Sequence, residues 1–453
     1  MARILCITSC VPGLLYPGVE LARRLRAAGH QLTFASFAEA RAVVEHHGLD
    51  FLELDEDRLA RFAQGDRSLG ILARLRRLES RRTAAVAALG VGGLEPQVRR
   101  LAPDLLLIDG ELHEQIFALW NLAAPIVLLN GFVSIWRRPG LPPPHRRIRP
   151  GLGWRGSRSG IAWAWWQLGF KKRLRALSLW LRWLGCDRLS RLRQLARRTG
   201  LDWRRDLDAG QWLMPFTYRH LPVLSLHALE FELPHTPPTQ VCYTGPMVLE
   251  DRADVERGES AGGRLEALVG RCRDAGRTLI YAGFGSFLTT DSDFLRRLVA
   301  AVARRDDWEL VLSLGGRADP DELGPLPSRV HVFRWLPQLE VLHHAAVAVT
   351  HGGINTVDEC VLAGVPMLIY CGHETDMAGN TARVEHHGLG LAGDRQRDTP
   401  EVIGRHLDRL LGEPRYRHAV ERMGAHYRAY GERRVAERFV AALLDQARLG
   451  ETA

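Results

Sequence analysis

The sequence predicts an α/β protein made of two doubly wound domains that face each other across a cleft. Two series of short apolar runs alternate with longer amphipathic segments, one ending at residue 227 and the other beginning at residue 278. Such alternation is typical of a parallel sheet with helices on both faces. Residues 248–264, which are polar and charged and contain glycines, have the composition of a linker. We therefore expect an N-terminal domain over residues 1–247 and a C-terminal domain over residues 265–453.

The first series supplies the strands of the N-terminal domain. Its apolar runs are residues 3–8, 31–36, 49–54, 104–109, 125–130 and 222–227. The segments between them carry apolar residues at helical spacing, and the first, residues 17–28, has Pro17 at its start and Gly29 after its end. The alternation stops after Asn130, so we expect an insertion over residues 131–212.

The second series supplies the strands of the C-terminal domain, at residues 278–286, 309–314, 329–335, 347–350 and 366–371. The final helical segment, residues 415–444, is expected to cross back and brace the first domain. Ligands of such doubly wound sheets bind at the carboxyl ends of the strands.

The composition indicates an ordinary globular protein of the cytoplasm. The chain has 453 residues, 46% hydrophobic and 25% charged, which excludes a disordered or fibrous protein. Its seven cysteines are odd in number and form no C-x-x-C pair, which favours a reducing compartment. No apolar run approaches the ~18 residues that a membrane-spanning helix needs, so we expect none.

The positive charge is concentrated in one block of the predicted insertion. The formal net charge is +9, yet residues 137–205 hold 19 Lys or Arg against two Asp, and nine of the twelve tryptophans lie between Trp136 and Trp212. Two interpretations remain open. The segment 161–198 lies on the anionic inner face of a membrane, or its aromatic residues line a pocket for a hydrophobic acceptor. Nucleic acid is not expected as a partner, because the basic residues interleave with an apolar stripe and no nucleic-acid module is visible.

The segment with the clearest chemistry begins at Thr350 with the letters T-H-G-G-I-N-T-V-D-E. A buried strand ends at Thr350, His351-Gly352-Gly353 forms a turn, and a helix begins near Asn355. Such a turn presents free backbone N–H groups and the positive end of the helix dipole, which favour a phosphate. His351 adds a donor that would help to neutralise a diphosphate without a metal, and Glu359 is an acceptor suited to ribose hydroxyls.

With W-L-P-Q before this segment and A-G-V-P-M and D-M-A-G-N after it, the region resembles the donor-binding half of the family-one nucleotide-sugar glycosyltransferases. This family includes UDP-glycosyltransferases and the bacterial macrolide and carotenoid enzymes of secondary metabolism. The resemblance implies the GT-B fold and an inverting, metal-independent hexosyltransferase that needs no cofactor, since the nucleotide sugar is a substrate.

The resemblance also assigns donor-binding roles. Trp335 would stack on the base and Gln338 would contact the base or ribose, while Glu359 would hold the ribose. The diphosphate would lie on His351, Gly352, Gly353 and Ser286, with Asn355 and Thr356 near the phosphates and sugar, and Asp376 would bind sugar hydroxyls.

Two positions depart from the family pattern. Met377 stands where the family usually has Gln, and a thioether cannot donate to a sugar hydroxyl. Leu14, in Gly13-Leu14-Leu15-Tyr16-Pro17, stands where the family has its catalytic His and cannot accept a proton. The strand that ends at Asp109 offers three candidates for the missing base, namely Asp109 itself, Glu111 and His113.

These patterns predict an enzyme that moves a sugar from a UDP- or dTDP-sugar to a hydroxyl of a hydrophobic small molecule or lipid. The alternatives are a catalytically silent donor-binding partner, suggested by Leu14, and a sugar-nucleotide 2-epimerase, against which the Trp-rich insertion argues.

Overall fold

The computed structural model describes residues 1–55, 71–251, 260–285, 291–315, 323–372 and 376–451. These ranges contain a seven-stranded sheet, a six-stranded sheet and a small two-stranded sheet. Every pairing within the two large sheets is parallel. The predicted fold class, two doubly wound α/β units, is confirmed.

The N-terminal sheet has the strand order β3-β2-β1-β4-β5-β8-β9. Its strands are β1 (Arg3–Ile7), β2 (Gln31–Ser36), β3 (Asp50–Glu53), β4 (Leu105–Asp109), β5 (Ile126–Asn130), β8 (Val223–Ser225) and β9 (Val241–Tyr243). The order reverses between β1 and β4, and doubly wound sheets bind ligands at the carboxyl ends of the strands beside such a reversal. Ser9 and Asp109 lie at this point.

The C-terminal sheet repeats the arrangement with the order β12-β11-β10-β13-β14-β15. Its strands are β10 (Thr278–Gly283), β11 (Trp308–Ser313), β12 (Val330–Phe333), β13 (Val347–Thr350), β14 (Met367–Ile369) and β15 (Gly390–Ala392). The reversal lies between β10 and β13, so the crevice of this sheet is bordered by Gly285 and His351. Each apolar run of the sequence coincides with a strand, whereas the short strands β9 and β15 were not predicted.

Helices cover both sheets. Those of the N-terminal half and the insertion are α1 (Pro12–Ala27), α2 (Arg41–His46), α3 (Ile71–Arg76), α4 (Leu78–Ala87), α5 (Leu94–Leu101), α6 (His113–Ala118), α7 (Arg158–Trp183) and α8 (Arg188–Thr199). Those of the C-terminal half are α9 (Ser260–Asp274), α10 (Ser292–Ala303), α11 (Gln338–Leu342), α12 (Ile354–Leu362), α13 (Met377–His387), α14 (Pro400–Gly412), α15 (Pro414–Glu432) and α16 (Val435–Glu451). Short 3₁₀ turns occur at Ala38–Ala40 and Leu229–Phe231, and β6 (Leu207–Asp208) pairs with β7 (Thr217–Tyr218) in the insertion.

Three helix boundaries differ from the sequence predictions. Helix α1 begins at Pro12, with Pro17 inside it, because Pro12 already provides a residue suited to the first helical position. The final segment is two helices, since Arg434 adopts a left-handed conformation with φ 49° between them. Helix α9 begins at Ser260, inside the stretch predicted as a linker.

The last helix belongs to the core of the N-terminal half. Ala436, Val440 and Leu444 of α16 are buried in the apolar cluster that also contains Leu21 and Leu25 of α1. This contact joins the end of the chain to the first sheet.

Candidate active site

The turn after β13 is built from residues that leave its backbone accessible. Gly352 has φ +85°, and a Cβ there would lie 2.9 Å from Ile369 Cγ2, while a Cβ on Gly353 would lie 2.6 Å from His351 Nε2. Gly353 is the N-cap of α12, and no side chain caps that helix. The first N–H groups of α12 therefore remain available to an anion.

The ring of His351 lies under this turn and is electrically neutral near pH 7. It is buried, and a Cβ on Gly285 would lie 2.8 Å from its Cε1. Burial lowers the pKa of His351 to about 4, although a hydrogen bond with the Gly283 backbone favours the charged form. In this state the ring has no net charge and keeps one N–H to donate, so the role of His351 as a donor to a diphosphate stays a prediction.

Gln338 and Glu359, expected to hold the base and ribose, form one hydrogen-bonded group with Thr356, which was expected near the phosphates and sugar. The Gln338 amide donates to the Glu359 carboxylate and, at 3.3 Å, to Thr356 Oγ1, and it accepts from Tyr281 Oη at 3.0 Å. Trp335, half-buried, precedes Gln338 by three residues. The sequence did not predict a role for Tyr281, because a tyrosine in a buried strand is more often a core residue.

Asp376 is tied to the same turn by Asn380. The Asn380 amide donates to the Gly352 carbonyl at 3.0 Å and to Asp376 Oδ2 at 3.1 Å. Burial raises the pKa of Asp376, and the hydrogen bond from Asn380 partly offsets this rise. Asn380 was not assigned a role from the sequence, although it ends the D-M-A-G-N motif. Met377, next to Asp376, is the first residue of α13 and is half-buried.

Asn355 has a different contact from the one expected. Pro17 has no N–H, so the Gly13 carbonyl four residues earlier in α1 receives no hydrogen bond from it. Asn355 Nδ2 donates to that carbonyl at 3.2 Å, and it lies 3.4 Å from the Pro12 carbonyl. The amide of Asn355 thus joins the two halves of the molecule. Ser286, the remaining expected phosphate contact, lies outside the described residues.

A largely apolar pocket opens at the carboxyl ends of β4 and β5 in the N-terminal half. Its cavity volume is about 20 Å³, and the rest of the pocket is open to solvent. The lining combines the loop after β4, the segment after β5 and part of the insertion: Asp109, Gly110, Glu111, Asn130, Gly131, Phe132, Ile135, Trp136, Leu213 and Tyr218, with others from the strands. Leu14 borders this region, since a Cβ on Gly131 would lie 2.7 Å from Leu14 Cδ1.

Asp109 has its carboxylate oxygens occupied by local donors. Oδ2 accepts from Ser9 Oγ at 2.9 Å and lies 3.4 Å from the Ser9 backbone nitrogen, and Oδ1 accepts from the Glu111 N–H at 2.9 Å. Burial raises the pKa of Asp109, and these hydrogen bonds oppose the rise. The contacts suit a residue that shapes the loop carrying Glu111.

Glu111 has the properties of a proton acceptor tuned for neutral pH. Burial of its carboxyl among protein groups raises its pKa to about 7, and the negative charges of Asp109 and Asp376 add to the rise while Arg188 opposes it. The residue as a whole remains exposed and lines the pocket. Asp376 belongs to the C-terminal half, so its charge acts on Glu111 from the other side of the cleft.

His113 is wrong as a candidate base. Its side chain is completely buried, Nδ1 lies 3.1 Å from Tyr218 Oη, and Nε2 lies 3.3 Å from the Met214 carbonyl. Burial lowers its pKa to about 4. His113 is the first residue of α6, and its ring packs against Phe216 with centroids 4.5 Å apart.

Buried polar pairs connect the two halves around the cleft, and none was foreseen from the sequence. His227 Nδ1 lies 2.9 Å from Asp358 Oδ2 with both side chains buried. The Arg383 guanidinium donates to Glu232 Oε2, with Nε at 2.8 Å, and is also completely buried. Pairs between residues more than a hundred positions apart carry no local sequence signal, so only the fold brings them together.

The comparisons with known proteins agree with this architecture. Residues 296–437 match the family model described as the erythromycin biosynthesis protein CIII-like C-terminal domain. The oleandomycin glycosyltransferase of Streptomyces antibioticus is 30% identical over 166 residues, which cover 37% of this chain and 38% of that protein. The chain thus spans about two fifths or less of the length of the first curated relatives it matches.

Solved structures match over nearly the whole chain. The glycosyltransferase of kitacinnamycin superposes with a TM-score of 0.66 at 22% identity and covers 98% of both chains. The glycosyltransferase VinC in complex with DTDP has a TM-score of 0.60 at 20% identity and covers 98% of this chain and 99% of that one. These similarities confirm the GT-B fold. Within the described ranges, no helix has both the length and the hydropathy of a bilayer-spanning segment.

Proposed function

We propose that this chain, as a family-one nucleotide-sugar glycosyltransferase of the GT-B fold, transfers a hexose from a nucleotide diphosphate sugar to a hydroxyl of a hydrophobic acceptor. The observation that carries the proposal is the position of Glu111. This residue lines an apolar pocket at the carboxyl ends of β4 and β5, and the pKa of its carboxyl is raised to about 7 by burial and by the negative charges of Asp109 and Asp376.

The donor would bind to the C-terminal half. The uncapped N-terminus of α12 would receive the diphosphate on backbone N–H groups. The group formed by Gln338, Thr356 and Glu359 would hold the ribose, with Trp335 against the base, and Asp376 would accept from a sugar hydroxyl. A UDP- or dTDP-sugar fits this arrangement, and the VinC structure shows that a relative of this fold binds DTDP.

The acceptor would bind in the pocket beside Glu111, with its hydroxyl directed at the cleft. The acceptor oxygen would attack the anomeric carbon, the bond from that carbon to the diphosphate oxygen would break, and the nucleoside diphosphate would leave with the electron pair. Glu111 would take the acceptor proton, in place of the histidine that Leu14 replaces. Attack opposite the leaving group gives inversion at the anomeric carbon, and we propose that no metal or other cofactor takes part.

Asp109 would be a positioning residue in this reaction. It accepts from the Glu111 N–H and from Ser9, so it holds the loop in place, and its negative charge helps to keep the pKa of Glu111 high.

The proposal is tested by mixing the purified chain with UDP- and dTDP-sugars, with and without a panel of apolar alcohols and phenols. Acceptor-dependent release of nucleoside diphosphate with formation of a glycoside is expected. Glu111→Gln should lower turnover by about 100-fold or more while leaving the donor-induced thermal shift in place. Glu45→Gln, a change on an exposed ion pair of α2, is the matched control and should retain full turnover.

Other outcomes assign other functions. Epimerised nucleotide sugar without acceptor would identify a 2-epimerase, and donor binding without any product would identify a silent partner protein. Full turnover in Glu111→Gln would refute Glu111 as the base without refuting glycosyl transfer.

A further inference from the structure

An exposed row of apolar side chains runs along helix α7. We call it the aromatic stripe, and it consists of Trp163, Trp166, Phe170, Leu174, Leu177 and Leu181. Each of the six is 46–56% exposed. Successive members are three or four positions apart, with an average of 3.6, so they share one face of the helix over its whole length. An apolar face of this extent on the solvent-exposed surface of a protein indicates an interaction site.

The opposite face of α7 is attached to the protein, which holds the stripe outward. Ile161, Ala164 and Trp165 are buried in a small cluster with Ile148, and Trp165 Nε1 donates to the Leu141 carbonyl at 2.7 Å. Further along, the ammonium group of Lys172 donates to three backbone carbonyls of the insertion, at 2.8–3.2 Å. The helix therefore cannot turn its stripe inward without breaking these contacts.

The aromatic rings of the stripe support one another. Trp163 and Trp166 are stacked with centroids 4.6 Å apart, and Trp166 and Phe170 with centroids 5.5 Å apart. A stacked row has fewer rotamers to lose when it is covered, which lowers the entropic cost of binding. Tryptophan also suits the boundary between water and lipid, because its ring is apolar and its N–H is polar.

The charges around the stripe identify the kind of partner. Helix α7 contains six basic residues and no acidic one. Exposed Lys171 and Arg173 lie on either side of the stripe, with Arg175 and Arg182 further round the helix. Two copies packed stripe to stripe would bring these like charges together, which opposes a dimer. An anionic surface would attract them, and the pairing of basic residues with an apolar, aromatic face is that of an interfacial helix.

We propose that α7 docks this protein on an anionic lipid surface, with the aromatic stripe inserted among the headgroups. The docked helix lies next to the acceptor pocket. Trp212 packs on the same small cluster as Trp165, and its backbone N–H donates to the Ile135 carbonyl at 3.0 Å. Ile135 and Leu213 in turn line the pocket. If the proposed function holds, an acceptor dissolved in the bilayer would reach the pocket from this side.

The test is co-sedimentation of the full chain with vesicles of phosphatidylcholine, alone or mixed with phosphatidylglycerol. Binding to the anionic vesicles is expected at low salt and should weaken at about 1 M salt, where the Debye length falls to about 3 Å. Replacing Trp163, Trp166 and Phe170 together by serine should lower the partition coefficient about tenfold or more. Because these residues are exposed, circular dichroism and the melting temperature should stay unchanged.

Two control variants separate the stripe from general surface effects. Leu449→Ser removes an exposed apolar side chain on α16, and Arg405→Gln with Arg417→Gln removes two exposed charges of the C-terminal half. Both should bind vesicles like the wild type. No binding of the wild type to anionic vesicles at low salt would overturn the proposal, as would undiminished binding by the serine variant. A wild-type dimer that the serine variant converts to a monomer would show a second copy as the occupant and would also overturn it.

Vesicle binding needs no nucleotide sugar or acceptor. A protein that binds vesicles but transfers no sugar would therefore refute the proposed function alone, and one that transfers sugar but ignores vesicles would refute only the docking of α7.

Discussion

The pH dependence of turnover, compared between the wild type and Glu111→Gln, distinguishes Glu111 from a base with an ordinary carboxyl pKa. An ordinary glutamate with a pKa near 4.5 is fully ionised throughout the neutral range, so a base of that kind gives a flat profile above pH 6. Glu111 has its pKa raised to about 7 by burial and by the charges of Asp109 and Asp376. Its protonation should therefore be visible in the rate.

The expected magnitude follows from the ionised fraction. With a pKa of about 7, roughly 9% of Glu111 is ionised at pH 6 and roughly 91% at pH 8, so kcat/KM should rise about tenfold between these two values. With an unshifted pKa the same ratio would be about 1.03. Asp109→Asn removes a negative charge that raises the pKa of Glu111, so its profile should shift to lower pH.

The measurement is kcat/KM for the acceptor from pH 5 to pH 9, with an aliphatic alcohol whose hydroxyl does not titrate in that range. Glu111→Gln, which cannot ionise, should leave a low and flat residual rate. A flat profile in the wild type, or a sigmoid that persists with the same midpoint in Glu111→Gln, would refute the assignment of the base.

Three further predictions concern the contacts that hold the site together. Arg383→Met leaves the buried Glu232 carboxylate without its partner and should lower the free energy of unfolding by about 3–5 kcal/mol, measured by urea denaturation, with partial recovery when Glu232→Gln is added. Asn355→Ala removes the donor to the Gly13 carbonyl and should cost about 1–3 kcal/mol in the same assay. Burial lowers the pKa of His113 to about 4, so between pH 6.5 and pH 4 its ring is protonated in the unfolded chain but not in the folded one. The free energy of unfolding should therefore decrease as the pH is lowered through this range, by up to about 1.4 kcal/mol per pH unit, and His113→Gln should make this decrease smaller.

Each of these has a result that contradicts it. Equal stability of Arg383→Met and the wild type would show that solvent reaches Glu232 freely. A urea midpoint unaffected by Asn355→Ala would mean that water satisfies the Gly13 carbonyl equally well. An unchanged pH slope in His113→Gln would assign acid sensitivity to other groups, and Glu401→Gln, at an exposed position of α14, is the control for an added amide.

The elements of the fold were predictable because their signal is local. Each strand of the two sheets, apart from the short β9 and β15, coincides with an apolar run, since a strand buried on both faces needs apolar residues at successive positions. The alternation with amphipathic segments then leaves a parallel, doubly wound arrangement. The helix boundaries were less predictable. From its neighbours in sequence, Pro17 indicates the start of a helix, yet it lies inside α1, where Asn355 from the other half donates to the Gly13 carbonyl that Pro17 leaves without a donor.

Part of the candidate site was predictable. Gln338 and Glu359, which the sequence assigns to the base and ribose, lie together in one hydrogen-bonded group with Thr356. The ionisation of His351 was not predictable, because it depends on the burial of the ring among Gly283, Gly285 and Gly353 rather than on its neighbours in sequence.

The acceptor side was decided by tertiary structure. The sequence offers Asp109, Glu111 and His113 as candidate bases, two residues apart along the chain. The fold buries His113 against Tyr218, occupies Asp109 with Ser9, and leaves Glu111 exposed at the pocket.

The sequence by itself thus determined the two parallel sheets, the glycine turn at His351-Gly352-Gly353 and the basic, Trp-rich character of the insertion, since each depends on residues close together along the chain. Only the tertiary structure decided which carboxyl faces the cleft, which polar groups join the two halves and which face of α7 stays exposed. The reason is physical: hydrogen-bond partners and the burial that shifts a pKa come from residues far apart in sequence, as with His227 and Asp358, and they exist only once the chain is folded.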